Sequence, residues 1–240
     1  MMAGQAVIRT VASTGSTNAD MAVLARSGTA DGSWLRADAQ TAGRGRQGRE
    51  WTSSAGNFYA SNLVRLRPAD PPAATLALVA AVALDEAVVT FLGNGGGWRL
   101  KWPNDLLLGG AKLSGILLER ADDAVVIGIG VNLMHHPDFA DRPTTSLAAH
   151  GVAVTPADFL DVLAEAMARW IGRWRGKGLA VVRASWLERA HPPGTALTAR
   201  LPDGTAIDGL FDGLDAGGAL ILRLAGGERR VIHAADVFLI

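Results

Sequence analysis

Hydrophobic and polar positions along the chain switch repeatedly between a period of two and a helical period, and the switches mark the elements. Residues 6–12 (Ala-Val-Ile-Arg-Thr-Val-Ala) read as a short strand. Thr17-Asn18-Ala19-Asp20 then opens a helix to about Arg26, with Thr17 and Asp20 in capping-box spacing. Ser33 to Ala39 predicts a strand, a Gly/Arg-rich loop runs from Gly43 to Glu50, and Asn57 to Arg67 alternates as a further strand. Pro71-Pro72 start a long Ala/Leu/Val helix that the tract Gly93-Asn94-Gly95-Gly96-Gly97 ends. A short strand leads to Pro103, and Leu106 to Leu108 and Lys112 to Leu118 then flank Gly109-Gly110 as a hairpin. A turn near Ala121-Asp122-Asp123 leads into a strand from Ala124 to Leu133. Thr155-Pro156 start a helix through about Trp174, with Trp170 and Trp174 on its core side, and Leu179 to Arg189 forms another.

From Pro192 the texture changes. Short β runs alternate with turns at Pro202-Asp203-Gly204, Asp215-Ala216-Gly217-Gly218 and Gly226-Gly227, which predicts a small β-barrel. The fold class is α+β, a mixed sheet with packed helices, rather than strict βαβ alternation. The boundary falls between residues 1–190, a larger domain, and residues 191–240, the barrel.

Composition narrows the function. The chain has 240 residues, 49% hydrophobic and 19% charged, enough for one sizeable domain and a small one. Lys plus Arg and Asp plus Glu are both 23, so no bulk charge favours DNA or an anionic membrane as a partner. No run of 18 apolar residues lacks polar interruptions, and Met1 to Gln5 lacks the features of a signal peptide, so a cytoplasmic protein is expected. Zero Cys removes disulfides, thiolate zinc sites and Cys nucleophiles together. Of the basic residues only three are Lys, and two of these, Lys101 and Lys112, fall close together. An ammonium is a compact point charge where a guanidinium is a wide fork, so this stretch is where a ligand contact is sought first.

Gly43-Arg44-Gly45-Arg46-Gln47-Gly48 matches G-x-G-x-x-G in form. A dinucleotide loop needs a helix to begin at the third glycine, and the turn and strand residues from Arg49 to Asn57 exclude it. The loop still suits an anion, because converging N–H groups and Arg44, Arg46 and Arg49 supply positive potential; the bland reading is a solvated loop. Pro103 sets Asn104 and Asp105 on a rigid turn, where an amide and a carboxylate suit a magnesium-bound or ribose-bound group or serve as plain turn chemistry. On the hairpin, strict alternation puts Lys112, Ser114 and Ile116 on one face, opposite Leu113, Gly115 and Leu117. Gly115 allows close approach by a ligand or a backbone. Ser16-Thr17-Asn18 either caps a helix or offers hydroxyl and amide groups to a polar ring such as a ureido group, with Gln40 placed to help. Gly128 and Gly130 leave room beside their strand, which ends at Asn132. The five His show no metal spacing, and neither a nucleophile elbow nor a Walker loop occurs.

In order and spacing these motifs resemble those of the biotin protein ligases: Ser16-Thr17-Asn18, Gln40 through Trp51, Lys101-Trp102-Pro103-Asn104-Asp105, Lys112-Leu113-Ser114-Gly115-Ile116-Leu117, Gly130-Val131-Asn132-Leu133 and Thr145-Ser146-Leu147. The resemblance runs from about residue 8 to the end. It implies a class II synthetase-like core followed by an SH3-like barrel, and a two-step reaction. Biotin and MgATP give biotinyl-5′-AMP and pyrophosphate, and a lysine of a biotin carboxyl carrier protein, of acetyl-CoA carboxylase or another biotin carboxylase, then takes the biotin and releases AMP. By the family's pattern Lys112 and Arg46 are the catalytic cations. Ser16, Thr17, Asn18, Gln40, Arg44, Gly45, Arg46, Lys112 and Gly115 bind biotin. Arg46, Arg49, Trp51, Lys101, Asn104, Asp105, Lys112 and Asn132 bind ATP, with Asp105 the candidate for Mg2+. Biotin and ATP are substrates, and no tightly bound cofactor is implied. Residues 43–50 are expected to be mobile when empty and to order over the adenylate. Gly15 departs from an acidic residue common at that position in the family. Only 15 residues precede Ser16, so a ligase without a DNA-binding repressor domain is expected, with a homodimer left open.

Two other readings compete. A lipoate-protein ligase of the related fold shares the adenylation logic, but an Arg-Arg-x-x-Gly-Gly stretch is missing and a lipoyl group has no ureido ring for Ser16-Thr17-Asn18. A non-catalytic module that binds RNA or phosphorylated ligands through the Arg loop conflicts with zero net charge.

Overall fold

The computed structural model describes residues 6–93, 96–139 and 142–240, so the Met1–Gln5 start and Asn94-Gly95 of the glycine tract lie outside the described residues. The large sheet is built from β1 (Ile8–Thr14), β2 (Trp34–Gln40), β3 (Phe58–Arg65), β4 (Trp98–Lys101), β5 (Asp105–Leu108), β6 (Ala111–Ala121) and β7 (Ala124–Val131). Its strand order is β1-β2-β3-β7-β6-β5-β4. β1 and β2 run parallel and the other neighbours antiparallel, which makes the sheet mixed, as the pattern predicts. β1 starts and ends later than the apolar run at 6–12 suggests. It is an exposed edge strand whose limits follow its pairing with β2, from Ile8–Trp34 to Thr14–Gln40, and not its hydropathy.

Alternation along β3 and β7 divides the molecule into two layers. Phe58, Ala60 and Val64 on β3, with Val125, Ile127, Ile129 and Val131 on β7, point to α2 (Leu76–Leu92), α3 (Pro156–Lys177) and α4 (Leu179–Arg189). Leu63, Ala124 and Val126 point the other way, to α1 (Thr17–Arg26), where they pack with Met21, Ala25 and Leu35. Large aliphatic side chains on both faces of the central strands drive the sheet into the middle of the fold.

Ala73–Leu92 has the length and composition of a membrane span, with a mean hydropathy of 2.0, but it is the central helix of the core. Thr75, Asp85, Glu86 and Thr90 interrupt it. Burial pushes the Asp85 carboxyl up against the pull of Arg189, whose Nε donates to it at 2.6 Å. α3 begins as predicted, with Thr155 Oγ1 accepting from Asp158 N (3.1 Å), and it runs past Trp174 to Lys177. Trp170 and Trp174 are buried on its inner side, and Trp174 Nε1 donates to Thr75 Oγ1 (2.8 Å).

The C-terminal strands are β8 (Ala196–Arg200), β9 (Ala206–Leu214), β10 (Leu220–Arg223), β11 (Arg229–Ile232) and β12 (Asp236–Leu239). They pair antiparallel in the order β11-β10-β9-β8-β12, so the expected closed barrel is instead an open five-stranded sheet with β11 and β12 at opposite edges. The reason lies in packing. Phe211, Leu197 and Leu220 join the same buried cluster as Trp186 of α4 and Leu100 of β4, so the apolar face is covered by the larger unit and nothing drives the sheet to close on itself.

Candidate active site

Beyond α1, the same face of the large sheet stops being a core and becomes a cavity of about 320 Å³. The change is made by removing side chains. Ser61, Gly128 and Leu117 face one another across β3, β7 and β6, and the next such row is Tyr59, Gly130 and Gly115. A Cβ on Gly128 would stand 2.3 Å from Asn18 Oδ1, and one on Gly130 would stand 2.6 Å from the Trp51 indole. Asn18 therefore roofs the first row and Trp51 the second. All the binding candidates chosen from the sequence, from Ser16 to Asn132, line this one cavity.

One end is neutral. Thr17 N and Oγ1 both donate to Gln40 Oε1 (2.9 and 3.1 Å), and Gln40 Nε2 donates to Ser53 Oγ (3.0 Å), which in turn donates to Trp51 O (2.8 Å). Ser61 Oγ lies 2.8 Å from Thr17 Oγ1 and 2.6 Å from Asn18 Oδ1. The capping box expected at Thr17 and Asp20 does not form. Ser16 is the first residue of the helix boundary and makes no side-chain cap, Asp20 accepts from Thr14 Oγ1, and Thr17 turns its hydroxyl to the sheet. Burial decides this, because Thr17 is only 3% exposed beside Gln40 and Ser61, which satisfy it.

The other end is cationic. Lys112 does not share a face with Ser114 and Ile116 as strict alternation predicts. Leu106 pairs with Ser114 and Leu107 with Lys112, so Leu113 is an extra residue in β6, a bulge. The bulge turns Lys112 to the Gly115 side, where its Nζ lies 3.4 Å from the position a Cβ of Gly115 would take. Asp105 receives Lys112 Nζ on one oxygen (2.6 Å) and Lys101 Nζ on the other (3.3 Å). Burial works against its charge, but Lys112 and Lys101 outweigh that and hold the carboxyl below the ordinary range. Lys101 also donates to Val237 O (2.9 Å), and Trp102 Nε1 to Gly218 O (3.1 Å), so this motif anchors the C-terminal sheet as well as the site. Asn104 Nδ2 donates to Ile116 O and its Oδ1 accepts from Arg46 Nη1 (3.4 Å). Asn132 Nδ2 donates to Thr145 O (3.0 Å) and ties the Thr145-Ser146-Leu147 segment to the end of β7.

Over this end lies the glycine–arginine loop. No α-helix begins at its third glycine; Arg46–Gly48 form a single 3-10 turn. Arg49 Nη2 pairs with Asp236 Oδ1 (2.9 Å), and Arg46 Nη1 donates to Ala235 O (3.3 Å). Gly43 is required by crowding, since a Cβ there would stand 2.6 Å from both Ser53 Oγ and Trp51 O. Trp51 Nε1 is buried with no hydrogen-bond partner among the described residues, and Lys112 Nζ lies 5.6 Å from the centre of the Trp51 ring.

For Mg2+, the donor set does not form a cage. Both Asp105 oxygens face ammonium groups, and among the described residues no three His, Asp or Glu side chains converge. Sequence reasoning missed Ser53, Tyr59, Ser61 and Asp236. Tyr59 and Ser61 carry a faint signal, alternating with Phe58 and Ala60 on a strand, but only the register with Gly128 and Gly130 gives it meaning.

A neutral end and a cationic end in one cavity suit a substrate whose polar ring is held while an anionic group reacts, as in a ligase that activates an acid with a nucleotide. Residues 12–132 match the model of the biotin/lipoate A/B protein ligase family, and residues 195–240 match that of the biotin protein ligase C-terminal domain. The chain is 44% identical to a biotin–[acetyl-CoA-carboxylase] ligase of Paracoccus denitrificans, over 95% of this chain and 98% of that protein. It is 38% identical to one of Mycobacterium tuberculosis, over 95% and 86%. The fold matches that of Aquifex aeolicus biotin protein ligase in complex with biotin and ATP at a TM-score of 0.86, with 23% identity, covering 97% of this chain and 99% of that one. The chain therefore belongs to the biotin/lipoate A/B protein ligase family, and within it stands with the biotin protein ligases.

Proposed function

We propose that the protein activates biotin with MgATP to biotinyl-5′-AMP, releasing pyrophosphate, and passes the biotin to a lysine of a biotin carboxyl carrier protein. The observation that carries this reading is the division of one cavity into a neutral hydrogen-bonding end and a cationic end, with Lys112 turned into it by the bulge. Ser16, Thr17, Asn18 and Gln40 hold the ureido ring, with the buried Ser61 behind Thr17 and Asn18. Arg44 and Gly45 close over the acid and Gly115 gives it room, while Arg49, Trp51, Asn104 and Asn132 line the nucleotide side.

In the first step a biotin carboxylate oxygen bonds to the α-phosphorus of ATP and the bond to the pyrophosphate oxygen breaks. Negative charge gathers on the phosphoryl oxygens, where Lys112 and Arg46 stabilise it. In the second step the carrier's lysine amine bonds to the acyl carbon, AMP leaves, and the amine loses a proton. Asp105 serves as the fixed counter-charge that aims Lys112 and Lys101. Mg2+ arrives with the ATP phosphates as part of the substrate.

The carrier is that of acetyl-CoA carboxylase or another biotin carboxylase, and the compartment is the cytoplasm. The division at 190/191, the class II synthetase-like kinship of the core and the SH3-like kinship of the small sheet belong to the same reading, as does the absence of DNA and membrane partners. The test is biotin-dependent pyrophosphate release with MgATP, followed by transfer of labelled biotin to a carrier domain. Release that needs biotin and ignores lipoate supports the reading; release driven by lipoate in place of biotin replaces it with a lipoate ligase.

A further inference from the structure

Asn18 is 5% exposed, and its amide is held in one orientation from outside the cavity. Nδ2 faces β6, donating to the Glu119 carboxylate at 2.7 Å and lying 3.4 Å from Leu117 O. Oδ1 faces the other way, toward Ser61 and the bare Cα of Gly128. The two ends of an amide are almost the same size, so shape does not choose between them. The acceptors on β6 do: a flipped Asn18 would set its carbonyl oxygen against a carboxylate and a peptide carbonyl.

That choice has a consequence for the ligand. Around Ser61 there are three oxygen–oxygen contacts: Ser61 to Thr17, Ser61 to Asn18, and Thr17 to Gln40. The two hydroxyls supply two protons between them. One contact therefore lacks a proton, and the cluster holds an unused acceptor. With Asn18 reversed, its NH2 group would fill the gap and the excess would vanish.

We infer that Glu119, which lies behind Asn18 and does not line the cavity, is a positioning residue that keeps the head-group end acceptor-rich and so selects a ring carrying N–H donors. This rests on the reading that the neutral end holds the ureido ring. A cyclic urea supplies the missing proton, whereas a dithiolane ring has none to give. Glu119 is exposed, so its carboxylate reaches Asn18 from solvent and its replacement leaves the core untouched.

The test is Glu119→Gln, whose side chain accepts or donates equally well and no longer dictates the orientation of Asn18. Its biotin KM should rise about tenfold, the size of one charged hydrogen bond, with kcat and ATP KM unchanged. The double variant Asn18→Asp with Glu119→Gln presents an oxygen to Ser61 in either orientation and takes a hydrogen bond from the new amide, so it should recover most of the lost affinity. A wild-type biotin KM in Glu119→Gln, with the same Tm, overturns the inference. So does a rise in both substrates' KM that the double variant does not reverse, which marks a purely structural role. Calorimetry of the wild type with biotin separates the two levels: no biotin binding sinks the head-group reading itself, while normal binding in both proteins sinks only the role of Glu119.

Discussion

The two ends of the cavity hold their groups in place by different means. At the neutral end, Thr17 and Asn18 come from the first turn of α1 and Gln40 and Ser61 from β2 and β3, so strand register and the packing of one helix on the sheet fix their positions. At the cationic end, Lys112 comes from a bulged strand, Lys101 and Asp105 from a hairpin, Arg46 and Arg49 from a loop, and Asp236 from the other sheet. Thr17, Gln40 and Ser61 hold one another by neutral hydrogen bonds, which are short-ranged and indifferent to salt, and only Asn18 is set by a charged group, Glu119 behind it. Charges act further and repel their own kind, so each cation there has an anion or a carbonyl placed against it. Binding a ring and stabilising a developing charge thus call for two kinds of architecture within one pocket.

The sharpest way to break the contrast is Lys112→Ala. It removes the cation while leaving the neutral end intact, so biotin-dependent pyrophosphate release should fall about 10²- to 10³-fold, as loss of one transition-state donor does elsewhere. Biotin binding measured by calorimetry should weaken far less. Equal losses in both would show that the two ends are not separable.

The glycine rows allow a finer cut. Gly128→Ala puts a methyl 2.3 Å from Asn18 Oδ1, and Gly130→Ala puts one 2.6 Å from the Trp51 indole, both closer than the groups can stay. Each displaces one roof, and the expected change is about tenfold in KM, for biotin in the first variant and for ATP in the second. Steady-state kinetics with each substrate varied in turn checks it, and a variant that raises both KM values alike would count against separate roofs.

These glycines also show what was legible in the sequence. Gly128, Gly130 and Gly115 stand out as gaps in apolar strands, and the ring-binding trio and the lysine pair are visible as motifs. The location of Lys112 is not, because a bulge is a mismatch between two strands and leaves no mark on either one alone. The capping box failed for a related reason: local spacing offers Thr17 a backbone partner, and the tertiary partners Gln40 and Ser61 outcompete it. Asp236 sits in a small sheet whose own pattern says only that it is β, and its pairing with Arg49 spans most of the chain. The open sheet in place of a barrel is of the same kind, since closure depends on whether another unit covers the apolar face.

Asp236→Asn tests the contact between the sheets. Its partner Arg49 is partly exposed, so the direct loss is small, about threefold in ATP KM at low salt and less at high salt, where screening already weakens the pair. Faster hydrogen exchange over residues 43–50 in this variant would show that the small sheet holds the loop. An effect independent of salt would assign the change to Ala235 and Arg46 packing instead.

The smallest expected effect is that of pH on the cationic end. The Asp105 carboxyl is held below its usual value of 3.8, so the stabilisation it lends is complete above that value and is lost only as pH falls through the lowered one. The Tm difference between wild type and Asp105→Asn should therefore stay constant from about pH 8 to about pH 5 and shrink only in stronger acid. At the neutral end Thr17, Gln40 and Ser61 carry no ionisable group, and the carboxylate that touches it is that of Glu119, on Asn18. A Tm difference that already shrinks near pH 6 would mean that the two lysines do not hold Asp105 ionised, and the contrast between an end of neutral hydrogen bonds and an end built on paired charges would fail where it is most specific.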